Sequence, residues 1–122
     1  MTTTHELGEV VAERRVEAVA EDGRRTPVIL KFGRPHPDPL SAHDDWCCPH
    51  QIVGLGDETV QAAFGVDSLQ ALLLSVYAVR LKLVERAAGA SVSLEWEGGP
   101  DLGLTVVPEP HEAVPPATCR GF

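Results

Sequence analysis

The sequence predicts an α+β fold in which a mostly antiparallel sheet of five to six strands packs as one layer against one long helix. Three observations predict it. Short segments alternate apolar and polar residues with period two, turn residues join most of them as hairpins, and one run after residue 67 combines a capping signature with enough apolar residues for a long helix.

The first strand starts near Val10, where Val10, Ala12, Val16 and Ala18 recur with period two, and Asp22-Gly23 supplies a tight turn. A second strand follows over about Thr26 to Phe32. Its Val28, Leu30 and Phe32 share a core-facing side, while Pro27 lacks an amide donor and marks a strand end or sheet edge. The stretch from Arg34 to Asp45 is too rich in proline to continue a strand and is expected to be an exposed loop. Cys48 to Val53 reads as a third strand, Gly54-Leu55-Gly56-Asp57 as a turn, and the returning fourth strand places Val60, Ala62, Phe64 and Val66 on its buried face.

Asp67-Ser68-Leu69-Gln70 is a capping box, with Asp67 accepting an amide hydrogen bond and Gln70 reaching back to the cap. The helix is expected to run to about Ala88. Gly89 then ends it in a left-handed conformation, and Lys82 and Arg86 complement the dipole. A fifth strand carries Val92, Leu94 and Trp96, Gly98-Gly99-Pro100-Asp101 turns the chain, and a short sixth strand occupies Leu102 to Val106. Residues 9–107 thus form the domain, between a flexible start at 1–8 and a proline-rich tail at 108–122.

Ten basic residues against eighteen acidic ones leave a formal net charge of -8, which opposes attraction to nucleic-acid phosphates and to anionic lipid. No nucleic-acid or membrane partner is expected. No leader pattern opens the chain, and Arg80 and Lys82 interrupt its longest apolar stretch, so the expected location is the cytoplasm. The three cysteines, of which Cys47 and Cys48 are neighbours, imply free thiols in a reducing compartment rather than a disulfide framework.

Placed at 100° intervals, the helix residues leave a narrow polar stripe of Ala71, Ser75, Ala78, Lys82, Glu85 and Arg86. Leucines and valines fill most of the remaining circumference. A sheet can cover Leu69, Leu72, Val76 and Leu83, whereas Leu74, Tyr77 and Leu81 point further around and need another cover: a loop, the tail or a second chain. Arg80 falls among Leu69, Leu73, Val76, Val84 and Ala87, so it either carries its head to water or to a nearby carboxylate, or clamps an anion.

The chemically densest stretch runs from His43 to His50. His43, Cys47, Cys48 and His50 offer sulfur and nitrogen ligands of the kind zinc prefers, although the usual two spaced ligand pairs are absent. Strand alternation turns Cys48 and His50 to one face and Cys47 to the other, which makes one thiol a small core residue. A nucleophilic Cys47 activated by His43 or His50 is the catalytic alternative. Asp44, Asp45 and Trp46 form an acidic and aromatic cluster suited to anchoring a basic partner surface.

The run Cys48-Pro-His-Gln-Ile-Val-Gly-Leu-Gly-Asp57, followed by Ala63-Phe-Gly-Val-Asp-Ser-Leu-Gln-Ala-Leu72, resembles a family of small uncharacterised bacterial proteins over roughly residues 9–103. The resemblance implies a compact domain and a bacterial source. It brings no reaction and no cofactor. The expected function is a non-catalytic interaction or regulatory module, such as an antidote to a toxin, with a protein partner or a second copy bound through Asp44, Asp45, Trp46, Leu74, Tyr77 and Leu81. The alternative is a small metal-binding or thiol-dependent enzyme using Cys47, Cys48 and His50.

Overall fold

The computed structural model describes residues 5–105, so the tail expected at 108–122 and the first four residues of the expected flexible start lie outside it. The element order is β1 (Val10–Ala20), β2 (Arg25–Gly33), β3 (His36–Pro37), β4 (Trp46–Val53), β5 (Gln61–Gly65), α1 (Ser68–Ala90) and β6 (Val92–Glu95). All pairings are antiparallel, in the order β3-β4-β2-β1-β6 with β5 paired to β4. The α+β expectation of one helix on an antiparallel sheet is met.

Strand register follows from burial. Residues Val16, Ala18, Val28, Leu30, Phe32 and Ile52 share the helix-facing side and form the core with Val79 and Leu83 of α1. Alternation in the second strand therefore reads correctly from the sequence. In the first strand it fails at the start: the register shifts between Val10 and Ala12, and both residues are exposed. Pro27 pairs with Glu17 of β1 but lies beyond the reach of β4, so its missing amide costs no ladder bond on that side.

His50 has Cα partners in both β2 and β5, which places those strands on opposite sides of β4. Trp46 and Cys47 likewise pair with both β3 and β5, so β3 prolongs the line of β2 along β4. The proline-rich stretch expected to be all loop thus contains a two-residue strand, because the extended backbone of His36 and Pro37 is already compatible with pairing.

Further expectations are corrected. The third strand begins at Trp46, two residues early. In β5 the helix-facing residues are Gln61, Ala63 and Gly65, while Phe64 and Val66 are exposed, opposite to the face expected from hydrophobicity. The cause is close approach of the helix: a Cβ on Gly65 would lie 2.6 Å from the Ala71 amide nitrogen. Residues 102–105 are not a strand; Leu102 and Leu104 instead pack against the edge of the core beside Leu94 and Trp96.

Asp67 Oδ1 accepts from the Gln70 amide at 2.8 Å, as the capping box requires, but Gln70 Oε1 accepts from Val66 rather than from the cap residue. The helix also runs two residues past its expected end. Ser91, at φ 56°, supplies the left-handed turn and donates its amide to Ala87 and Ala88, leaving Gly89 inside the last turn.

Candidate interaction surface

The helix is seated on its small side. Ala71, Ser75, Val79 and Leu83 are buried against the sheet, so the stripe expected to face solvent is reversed at Ala71 and Ser75. Short side chains let the helix axis approach β4 and β5, and a longer side chain at either position would hold the layers apart. Ser75 also answers the polar groups beneath it. Its Oγ donates to the Cys48 carbonyl at 2.6 Å and lies 2.8 Å from His50 Nδ1.

That geometry fixes the protons. A serine hydroxyl has one hydrogen, and a carbonyl can only accept, so the hydrogen goes to Cys48 and Oγ accepts from Nδ1–H. His50 is a neutral imidazole, and burial lowers its pKa from 6.5 to about 4. Ser75 is accordingly not poised as a nucleophile, since an activated serine would give its proton to the histidine. The triad ties helix to sheet.

The dense segment is dispersed by strand alternation. Cys48 and His50 face the helix, Cys47 faces the other side, and His43 is exposed in the loop before β4. Among the described residues, no three His, Cys, Asp or Glu side chains gather as a metal site. Cys48 donates weakly to the Gly33 carbonyl at 3.4 Å, and burial pushes its pKa up. It behaves as a small core residue.

Cys47 meets histidines the sequence did not pair it with. His36 is its cross-strand partner in β3, and the two line a cleft of about 270 Å³ with His5, Glu6 and Asp38. Burial, followed by the Asp38 charge, raises the Cys47 pKa, whereas a reactive thiol needs it lowered. The signal for His36 lay in the short β3 pairing, which a proline-rich loop conceals. His5 reaches the same face, edge-on to Phe64 with ring centroids 6.1 Å apart.

Arg14 was also invisible as a special residue. Its guanidinium lies 3.9 Å from the Trp96 ring centroid and donates to the Leu102 and Gly103 carbonyls, pinning residues 102–103 over the sheet. Gly103 permits this stacking, because a Cβ there would lie 2.6 Å from the indole. On the helix-free face, Arg25 bridges Glu17 and Glu95 across three strands at 3.4 and 3.2 Å.

The expected partner residues fall in two places. Trp46 and Asp45 are half-buried at the start of β4, with the Asp45 carboxylate accepting from Ser41, and Asp44 is exposed at φ 58°. Tyr77 is 52 %, Leu81 51 % and Val84 69 % exposed, and Leu69, Leu73 and Leu74 are exposed beside them. Arg80 is exposed too, on the flank of this face, and has no ion-pair partner among the described residues. The apolar enclosure expected around it fails because Leu69, Leu73 and Val84 point outward with it.

These features define a small α+β protein with a tied polar seat under its helix and a large apolar face on top. No helix among the described residues is long and apolar enough to cross a membrane. The chain belongs to the family described as a domain of unknown function, DUF6968, which matches residues 12–106. No curated protein and no solved structure gives a match.

Proposed function

We propose that this protein is a non-catalytic interaction module that docks a protein partner on the outward face of α1. The observation that carries the reading is the run of exposed Leu73, Leu74, Tyr77, Leu81 and Val84 on a helix whose other side is fully engaged with its own sheet. Exposed apolar patches of this kind are a hallmark of docking surfaces. The acidic net charge and the exposed Asp44 favour a basic rim on the partner. A bacterial source and a regulatory or antidote role in the cytoplasm extend the same reading.

The raised Cys47 and Cys48 pKa values and the orientation of Ser75 give the enzymatic alternative less support. The test is a defined complex, isolated with the wild type and compared with Leu81→Asp, which alters an exposed position. Retention of the complex by the variant, or no complex of any kind together with turnover of a metabolite, overturns the proposal.

A further inference from the structure

The outward face has a second regularity beyond its apolarity. Leu74, Tyr77, Leu81, Val84 and Ala88 are spaced three, four, three and four residues apart, the a and d spacing of a coiled-coil seam. Their neighbours on α1 that face the sheet are already buried, so the seam is the side left open. In this register Arg80 occupies a g position and Glu85 the e position five residues later. They border opposite edges of the stripe, both are exposed, and neither has an ion-pair partner among the described residues.

We infer that the partner on this face is a second copy of the chain, packed helix to helix in parallel about a two-fold axis. The inference rests on the proposed docking role of α1 and names its occupant. In a parallel pair, a g residue of one helix meets the e residue five positions on in its partner, so Arg80 of each copy faces Glu85 of the other and the ion pair is made twice, once on each side of the axis. An antiparallel pair sets g against g and brings the two Arg80 flanks together. Charge thus selects both the self-association and its direction. Two heptads are too short to coil in isolation, but each helix is already formed on its own sheet, which removes the nucleation cost. Tyr77 at d is the second of the five seam residues, flanked by Leu74 and Leu81, where its ring is covered and its hydroxyl can reach the rim.

Sedimentation equilibrium of the full chain measures the result. The wild type is expected to be a dimer at micromolar concentration, with Arg80→Glu or Glu85→Arg weakening it roughly tenfold and the double exchange restoring it. Restoration separates the paired charges from an effect of Arg80 on Asp101, with which it shares a cleft. In a Cys119→Ser background, Val84→Cys is expected to cross-link its own copy across the two-fold axis on mild oxidation. A dimer that survives Leu81→Asp, is indifferent to the charge exchanges, or resists the Val84→Cys cross-link overturns the inference. So does a monomeric wild type; if that monomer still forms a complex with another protein that Leu81→Asp abolishes, the docking role stands and only the second copy is lost.

Discussion

The two sides of α1 are built from opposite materials. Toward the sheet lie Ala71 and Ser75, small enough to seat the helix against Gly65 and His50; toward solvent lie Leu73, Tyr77, Leu81 and Val84. Hydrophobicity alone would turn Leu69 toward the sheet and Ala71 and Ser75 away from it, yet Leu69 is exposed and the two small residues are buried beside Val79 and Leu83. The difference teaches that close packing and hydrogen-bond satisfaction decide which face is buried when both faces carry apolar residues. Each outcome below sharpens or breaks that contrast.

The largest expected effect is at the seat. Ser75→Leu inserts bulk into a filled site and leaves the Cys48 carbonyl and His50 Nδ1–H without their shared partner, so chemical denaturation is expected to report a loss of about 4 kcal/mol. An unchanged midpoint would mean that the helix is not seated on this residue.

The next effect depends on pH. Because His50 titrates at about 4 in the folded chain and near 6.5 when unfolded, the unfolded chain takes the proton first. Its contribution is complete above pH 6.5, falls as pH is lowered, and is lost below about 4, a swing of about 3 kcal/mol. Carboxylates titrate in part of the same range, so the measurement is the difference between wild type and His50→Gln. Parallel stability curves for the two would remove the buried neutral imidazole from the account.

A smaller loss belongs to the far side of the core. Arg14→Ala removes the stacked cation on Trp96 and two donors to the Leu102 and Gly103 carbonyls, with an expected cost of about 1 to 2 kcal/mol. Hydrogen exchange at residues 102–105 is expected to quicken more than in β2. Uniform quickening throughout the sheet would argue against a local strap.

The smallest change is predicted on the outward face of α1. Tyr77→Ser on the outward face is expected to alter the stability of the isolated monomer by no more than about 0.5 kcal/mol, because the side chain makes little of the core. A loss of several kcal/mol at low protein concentration would show that this face is covered within the chain.

Local patterns made much of the fold legible. Period-two alternation located β2, the Asp22-Gly23 turn joined it to β1, and Asp67 with Gln70 marked the helix start within a residue. Alternation misled in β5, where Phe64 outranks Gly65 in hydrophobicity but only Gly65 fits beneath the helix. The candidate site was half legible: Leu74, Tyr77 and Leu81 were placed outward correctly, while Arg80 was assigned an apolar enclosure that does not exist. Ser75 was missed because a lone serine on a helix usually signals a solvent-facing stripe.

By itself, the amino-acid order marked the helix and five of the strands through local alternation, turn and capping signals, while β3 and the strand expected from Leu102 were decided by pairing between distant segments. Tertiary structure alone decided how far apart the layers sit, which put Ala71 and Ser75 against the sheet with Val79 and Leu83 and left Leu73, Leu74 and Leu81 outside. It also brought His36 to Cys47 and Arg14 to Trp96. Those pairings are set by sheet order and interlayer distance, neither of which is encoded in any short stretch of the chain.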